Sequence, residues 1–337
     1  MSILNRVRAV FALGAAGVAL AFAPASAKEL KLGHYIPSTH ISHTQALMPW
    51  AKEVSDKTNG ELTVKIFPAS QLGGAPPGYY KMITGGVIDV GMFSPNLTPG
   101  VFPRTAVIEM PVPPKNAEHA KRILDALWDK YLADDYKDVK FLGHWCIDEF
   151  VVGTKSRPIR TLADMKGMKI RSPSNTQNLV MEALGAVPVN MPITDVFSAM
   201  DTGTVEGMAG GASVVFSFKI IDVAKYYSFG TPLSTTTTAV AMNKRVWDAL
   251  PEAHKKVIDE TRGGMSSRGA AAYDDLYAKA IDFIKEKGGG REVIRVSQEE
   301  QAKMQLAAKP VVEAWIAEVE KQGIPGREMW EARLKVQ

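Results

Sequence analysis

Cysteine is almost absent. Cys146 is the single one in 337 residues, so no internal disulfide can staple the fold and stability has to come from an apolar core. Trp145 and Ile147 flank this thiol and no local signature places a base beside it, so it reads as a small core residue and not as a nucleophile. The patterns that announce catalysis or nucleotide binding are missing too: Gly-x-Ser-x-Gly, His-Glu-x-x-His, Gly-x-x-x-x-Gly-Lys-Ser/Thr and Cys-x-x-Cys do not occur. Nothing in the chain calls for a cofactor. Neither sign of charge dominates, with 40 Lys/Arg against 36 Asp/Glu, which gives no reason to expect nucleic acid or an anionic membrane surface as a partner.

Long apolar runs are lacking after the first one. Met1–Ala27 carries Arg6 and Arg8 without an acid, then the apolar stretch Ala9–Phe22 and the small-residue site Ala25-Ser26-Ala27. That is the make-up of an export signal cleaved after Ala27, which places the mature chain in the periplasm. Removing the two arginines leaves 38 basic against 36 acidic groups, and no later segment is apolar for long enough to span a bilayer.

What is present is the alternation of strand and helix that makes an α/β protein. Glu29–Tyr35 alternates as a first strand, Leu47, Trp50, Ala51 and Val54 recur at helical spacing, and Leu62–Ile66 alternates again before Pro68. Strand, helix and strand within about forty residues predict a crossover and a mostly parallel sheet. Val87–Phe93 is nearly all apolar, as a strand buried on both faces is. Asn116 can cap a helix through Ala120, Leu124 and Tyr131, and Val139–Trp145 returns as a strand. A second unit repeats the pattern: a strand in Lys166–Arg171, a capping box at Ser174–Gln177, and short strands at Ala186–Asn190 and Thr204–Met208 around a helix at Asp195–Met200. Pro251–Lys287 has no proline after its first residue and keeps helical periodicity. As one helix it is roughly 55 Å long, more than a single lobe, unless Gly263-Gly264 breaks it.

Two clusters invite a catalytic reading. His34, His40 and His43 lie within ten residues, but no carboxylate or thiolate lies between them, and exposed or cap-forming histidines at a loop-to-helix junction are the plainer account. Asp148 and Glu149 are adjacent, so in an extended segment they point to opposite faces and cannot act on one bond; a solvated strand end is expected there.

An ordered set of motifs covers the chain from about residue 30 to 320. It opens with Leu32-Gly33-His34, Thr58-Asn59-Gly60-Glu61, Phe67–Gly73 and Gly85–Asp89. It continues with Leu162–Arg171, Ser172-Pro173, Leu184-Gly185-Ala186, Met191, Val196–Met200 and Thr202–Gly207, and closes with Asn243 and Val246–Pro251 ahead of the long helix. In this order the set resembles the extracytoplasmic solute-binding proteins of TRAP transporters, of the DctP type. The resemblance implies a two-lobed α/β receptor with a hinge, a ligand cleft between the lobes, a long helix across both, an organic acid as ligand and a membrane permease as partner. It implies no chemistry. Lobe I is expected over 28–148 and 236–275, and lobe II over 149–235 and 276–337.

The family's ligand-binding arginine falls at Arg171, at the end of Lys166-Gly167-Met168-Lys169-Ile170-Arg171. A guanidinium offers a planar fork to a carboxylate, and the helix N-terminus at Ser174 and Asn175 favours an anion nearby. A second arginine that many relatives carry about twenty residues earlier is Val151 here, and Gly210 and Gly211 stand where relatives carry a polar or bulky contact, which frees volume in the cleft. Tyr35, Phe93 with Ser94, Trp145 and Phe150 are expected to line a flatter, more apolar pocket, and Thr237 in the Thr235–Thr238 run to supply a hydrogen bond. The expected ligand is a monocarboxylate with an apolar or aromatic body. Two other readings stay open: a periplasmic receptor that presents its ligand to a sensor kinase, and a secreted metal-dependent hydrolase built on the three histidines.

Overall fold

The computed structural model describes residues 27–337, so the export signal expected over Met1–Ala27 lies outside the described residues except for its last residue. In chain order the first part contains β1 (Lys28–Gly33), α1 (Met48–Lys57), β2 (Leu62–Phe67), α2 (Tyr79–Gly85), β3 (Val90–Phe93), α3 (Ala117–Leu127) and β4 (Val139–Cys146). The middle holds β5 (Phe150–Thr154), β6 (Lys169–Ser172), α4 (Asn175–Ala183), β7 (Val187–Asn190), α5 (Ile193–Asp201), β8 (Gly207–Gly211), α6 (Val214–Ser217) and β9 (Tyr226–Phe229). The chain ends with β10 (Thr237–Asn243), α7 (Lys244–Asp248), α8 (Glu252–Lys287), β11 (Glu292–Arg295), α9 (Gln298–Glu320) and α10 (Gly326–Lys335).

These strands form two sheets, one ordered β2-β1-β3-β10-β4 and the other β11-β9-β5-β8-β6-β7. Each sheet is the base of one lobe of a two-lobed α/β fold. The expected parallel pairing holds for β1 with β2 and β3, and for β6 with β7 and β8. Both sheets are nevertheless mixed, because each receives a strand that arrives from the other. β5 enters the second sheet antiparallel to β8 and β9, and β10 returns to the first antiparallel to β3 and β4. The β4–β5 and β9–β10 connections are therefore crossings between the lobes.

The long helix is unbroken. α8 runs 36 residues through Gly263-Gly264, about 54 Å at 1.5 Å per residue. Its first two-thirds bury Ile258, Met265, Ala270 and Tyr273 in the core of the first lobe, and its last third buries Ala280 and Ile284 in that of the second. A glycine inside a helix costs roughly 1 kcal/mol, yet Gly269 is required here: a Cβ at 269 would stand 2.6–2.9 Å from the Trp145 ring. α9 also reaches both lobes, packing Met304 and Ala308 with the second and Trp315 and Ile316 with the helical layer around α3. Among the described residues no helix is long and apolar enough to cross a membrane.

Candidate functional site

Between the lobes lies a cavity of about 90 Å³. Its floor on the first lobe comes from the segments that follow β1 and β3, with Tyr35, His40, Ser42, Ser94 and Asn96, and from Thr236 just before the returning strand and Thr238 within it. The second lobe supplies Phe150, Arg171, Pro173, Gly210, Gly211 and Ser213, and α8 contributes Tyr273. Most of these lie at or beyond the carboxyl ends of strands, where open α/β sheets leave a crevice.

Arg171 is held by backbone. Its Nε donates to Met191 O and its Nη1 to Ala209 O, both at 2.9 Å, which fixes the plane of the fork and leaves its remaining donors without a partner among the described residues. The side chain is 4% exposed. Burial lowers its pKa to about 10, an effect that Tyr35 and then Asp195 oppose. Among the described residues it has no carboxylate partner. Tyr35 bonds Ser94 Oγ at 2.8 Å through its hydroxyl, and burial raises its pKa while Ser94 and Arg171 pull the other way.

Of the sequence-derived set, Arg171, Tyr35, Ser94, Phe150, Gly210 and Gly211 come together on this cavity and the other six do not. Phe93 turns into an aromatic core with Tyr80 and Phe102. Trp145 is fully buried against Gly269 of α8. Val151, one residue from Phe150 and so on the opposite face of β5, packs with Val196, Met208 and Tyr227. Ser174 caps α4 and, with Asn175, faces a neighbouring surface cleft. Thr237 points away from the cavity towards Cys146 Sγ, while Thr236 and Thr238 face it, as strand alternation dictates. Gly211 has a structural reason of its own: a Cβ there would collide with the Asp148 carboxylate.

The bacterial extracellular solute-binding protein family 7 profile, DctP, matches residues 32–318. The chain belongs to this family of TRAP transporter solute-binding proteins. The chain is 31% identical over 285 residues to the 2,3-diketo-L-gulonate-binding periplasmic protein YiaO of Escherichia coli, covering 82% of this chain and 85% of that protein. A crystal structure of a marine metagenome TRAP solute-binding protein specific for aromatic acid ligands, in complex with 3-hydroxybenzoate, superposes with TM-score 0.86 at 30% identity, covering 91% of this chain and 96% of that one. A TRAP solute-binding protein of Rhodoferax ferrireducens with copurified benzoate gives TM-score 0.86 at 28% identity and the same coverages.

In this TRAP solute-binding protein the three histidines are buried and not exposed, and His40 alone meets the cap-forming alternative, its Nδ1 accepting from Ser42 N at 3.1 Å at the start of the helical segment. His34 Nε2 and His43 Nδ1 lie 2.8 Å apart, and burial drives the pKa of His34 down to about 3 and of His40 to about 4. Among the described residues no three His, Cys, Asp or Glu side chains are grouped to hold a metal ion. Asp148 is not a solvated strand end either. It is 1% exposed and accepts from Ser213 N at 3.0 Å, and burial pushes its carboxyl up to about 8. Glu149 does point to the other face, where it accepts from Gly230 N at 2.9 Å and from the Tyr277 hydroxyl. The two carboxyls thus fasten the β4–β5 crossing to the second lobe, to the other crossing and to α8. Cys146 is buried, its thiol held up at about 12.

Sequence reasoning passed over Glu109, which stands in no motif. Its buried carboxylate accepts from Ser174 Oγ at 2.7 Å, and its backbone carbonyl accepts from Gln177 Nε2 at 3.1 Å, so the 105–109 turn packed on α3 is tied to the start of α4 in the second lobe. Asn96 Nδ2, donating to Pro173 O at 3.3 Å, is a second such tie. Burial raises the Glu109 pKa from 4.5 to about 7. A raised carboxyl favours folding most when protonated, so its contribution falls as pH rises from the unfolded value through about 7 and then levels off. Glu109→Gln is therefore expected to gain about 3 kcal/mol on the wild type between pH 4.5 and 8, at about 1.4 kcal/mol per unit. Urea unfolding of both proteins across that range checks it. His34, His40 and Asp148 titrate in both proteins and cancel in the difference.

Proposed function

We propose that this TRAP solute-binding protein captures a monocarboxylate with an aromatic body in the periplasm and delivers it to the membrane permease of its transporter. The observation that carries the reading is Arg171, a buried cation with two donors spent on backbone, free donors at the cavity, and no carboxylate partner among the described residues. A buried charge left unpaired is costly, and a ligand carboxylate relieves that cost. The rest of the wall suits one ring: Tyr35, Phe150, Phe218 and Tyr273 are aromatic, and Gly210 lines the wall beside the guanidinium. A cavity of about 90 Å³ is smaller than the roughly 150 Å³ that admits benzene in an engineered apolar cavity. A single ring thus needs only a small parting of the lobes, and a polyhydroxylated sugar acid more. With Val151 in the core instead of an arginine, no second Lys or Arg among the described residues faces the cavity for a dicarboxylate. The relatives that hold benzoate and 3-hydroxybenzoate lend support. The lobes extend over 28–148 with 236–275 and over 149–235 with 276–337, except that the end of α9 and α10 pack back on the helical layer around α3 of the first lobe. The two crossings and α8 form the hinge on which they close, and Met1–Ala27 serves as the export signal.

Thermal denaturation of the mature protein with benzoate, succinate, glucuronate and an aliphatic keto acid tests this. Benzoate is expected to stabilise by about 2.7 kcal/mol at a hundredfold excess over its dissociation constant. Stabilisation by succinate or glucuronate and not by benzoate would overturn the aromatic reading.

A further inference from the structure

One of the three histidines faces the ligand cavity, together with Ser42 and with Tyr273 of α8. The Ser42 backbone N–H donates to His40 Nδ1 at 3.1 Å. Nδ1 is thereby an acceptor, so in the neutral ring the proton sits on Nε2. The ring is neutral at physiological pH, because burial and then the neighbouring His43 hold its pKa at about 4. Edge-on packing against Phe218 and Tyr273, with centroids 6.3 and 6.1 Å away, fixes its plane. Among the described residues the Nε2–H finds no acceptor. Beside it Ser42 Oγ donates to the Tyr273 hydroxyl at 3.3 Å, and Thr238 offers a third hydroxyl to the same cavity.

The cavity has, then, a cationic pole at Arg171 on the second lobe and a neutral donor-and-hydroxyl pole on the first lobe and α8. We propose that His40 determines specificity by donating its Nε2–H to a hydroxyl on the ligand's ring while Ser42 or Tyr273 accepts a hydrogen bond from that hydroxyl, so that ring-hydroxylated aromatic acids are selected over unsubstituted ones. A neutral donor matches a neutral hydroxyl; a second carboxylate would require a cation. The inference rests on the aromatic-acid reading of the same cavity and adds the substituent that the reading leaves open.

Calorimetric titration of the wild type with benzoate, 3-methylbenzoate, 3-hydroxybenzoate and 4-hydroxybenzoate separates the two. At least one hydroxylated acid is expected to bind about tenfold tighter than benzoate, the worth of one well-made hydrogen bond, and the methyl compound to show no such gain. In His40→Phe, which keeps a ring against Phe218 and Tyr273, the ratio of benzoate to hydroxybenzoate dissociation constants is expected to fall to about one. His40→Gln, with an amide N–H near the position of Nε2, is expected to restore part of it. Nitrogen NMR of the wild type should report the Nε2–H tautomer and a shift on adding the hydroxylated acid that benzoate does not produce, a readout independent of the variants. Benzoate binding as tightly as both hydroxybenzoates, or a ratio unchanged in His40→Phe, would overturn the assignment while leaving the aromatic reading intact. Binding of none of the four acids would overturn both.

Discussion

Arg171→Ala is expected to weaken binding of an aromatic monocarboxylate by about 10²- to 10⁴-fold while the protein stays folded. Two charge-assisted hydrogen bonds from one guanidinium contribute about 1.5–3 kcal/mol each once water is excluded, and each 1.4 kcal/mol is about tenfold in affinity. The fork is aimed before the ligand arrives, by Met191 O and Ala209 O, so little is lost in ordering it. Arg171→Lys separates charge from geometry: it keeps the cation but lacks the bidentate fork, and is expected to recover only part of the affinity. Stability should change little in Arg171→Ala, because the cation is buried without a carboxylate partner among the described residues, and its removal relieves desolvation as two backbone carbonyls lose a donor. Calorimetric titration with circular dichroism as the fold check measures both. Full affinity in the alanine variant would remove Arg171 as the anchor.

Trp145→Ala is expected to cost about 3–5 kcal/mol of stability, the range for emptying a large aromatic from a packed core. Trp145 is 0% exposed, and α8 lies so close over it that only glycine fits at 269. The hole would therefore open beneath the helix that both lobes share. Trp145→Phe should cost far less, since it keeps a ring there and also removes an indole N–H that has no partner among the described residues. Urea unfolding measures both costs. A residue lining the ligand cavity would instead show its main effect in binding, so equal stability of Trp145→Ala and the wild type would return Trp145 to the cavity wall.

The contrast between these two residues shows where sequence reading stopped. The place of Arg171 on the cavity was legible because a whole motif points to it. Trp145 was not, since an aromatic in a strand looks the same whether its face meets a ligand or a helix. Phe93 and Val151 failed for the same reason: period two says which residues share a face, not which face looks into the cleft. In the Thr235–Thr238 run the choice of Thr237 selected the face towards Cys146, while Thr236 and Thr238 face the cavity. The burial of the histidines and of Asp148 was missed because polar character suggests solvent until the buried partners, such as Ser213 for Asp148, are in view.

The structure decided that α8 runs unbroken through Gly263-Gly264, while the sequence by itself determined the family, the α/β alternation, the helix caps at Asn116 and Ser174, and the arrival of Arg171 at the cavity between the lobes. Those features reside in local spacing and in an ordered set of short motifs. Only the tertiary structure decided that both sheets are mixed, that Glu109 ties the 105–109 turn to α4, and that His40, Ser42 and Tyr273 meet across a sequence separation of more than two hundred residues. The physical reason is the crossing of the chain between lobes. Strand polarity, the inward face of each strand and the neighbours of a buried polar group are set by where β5, β10 and α8 land, and no local pattern in the chain encodes that.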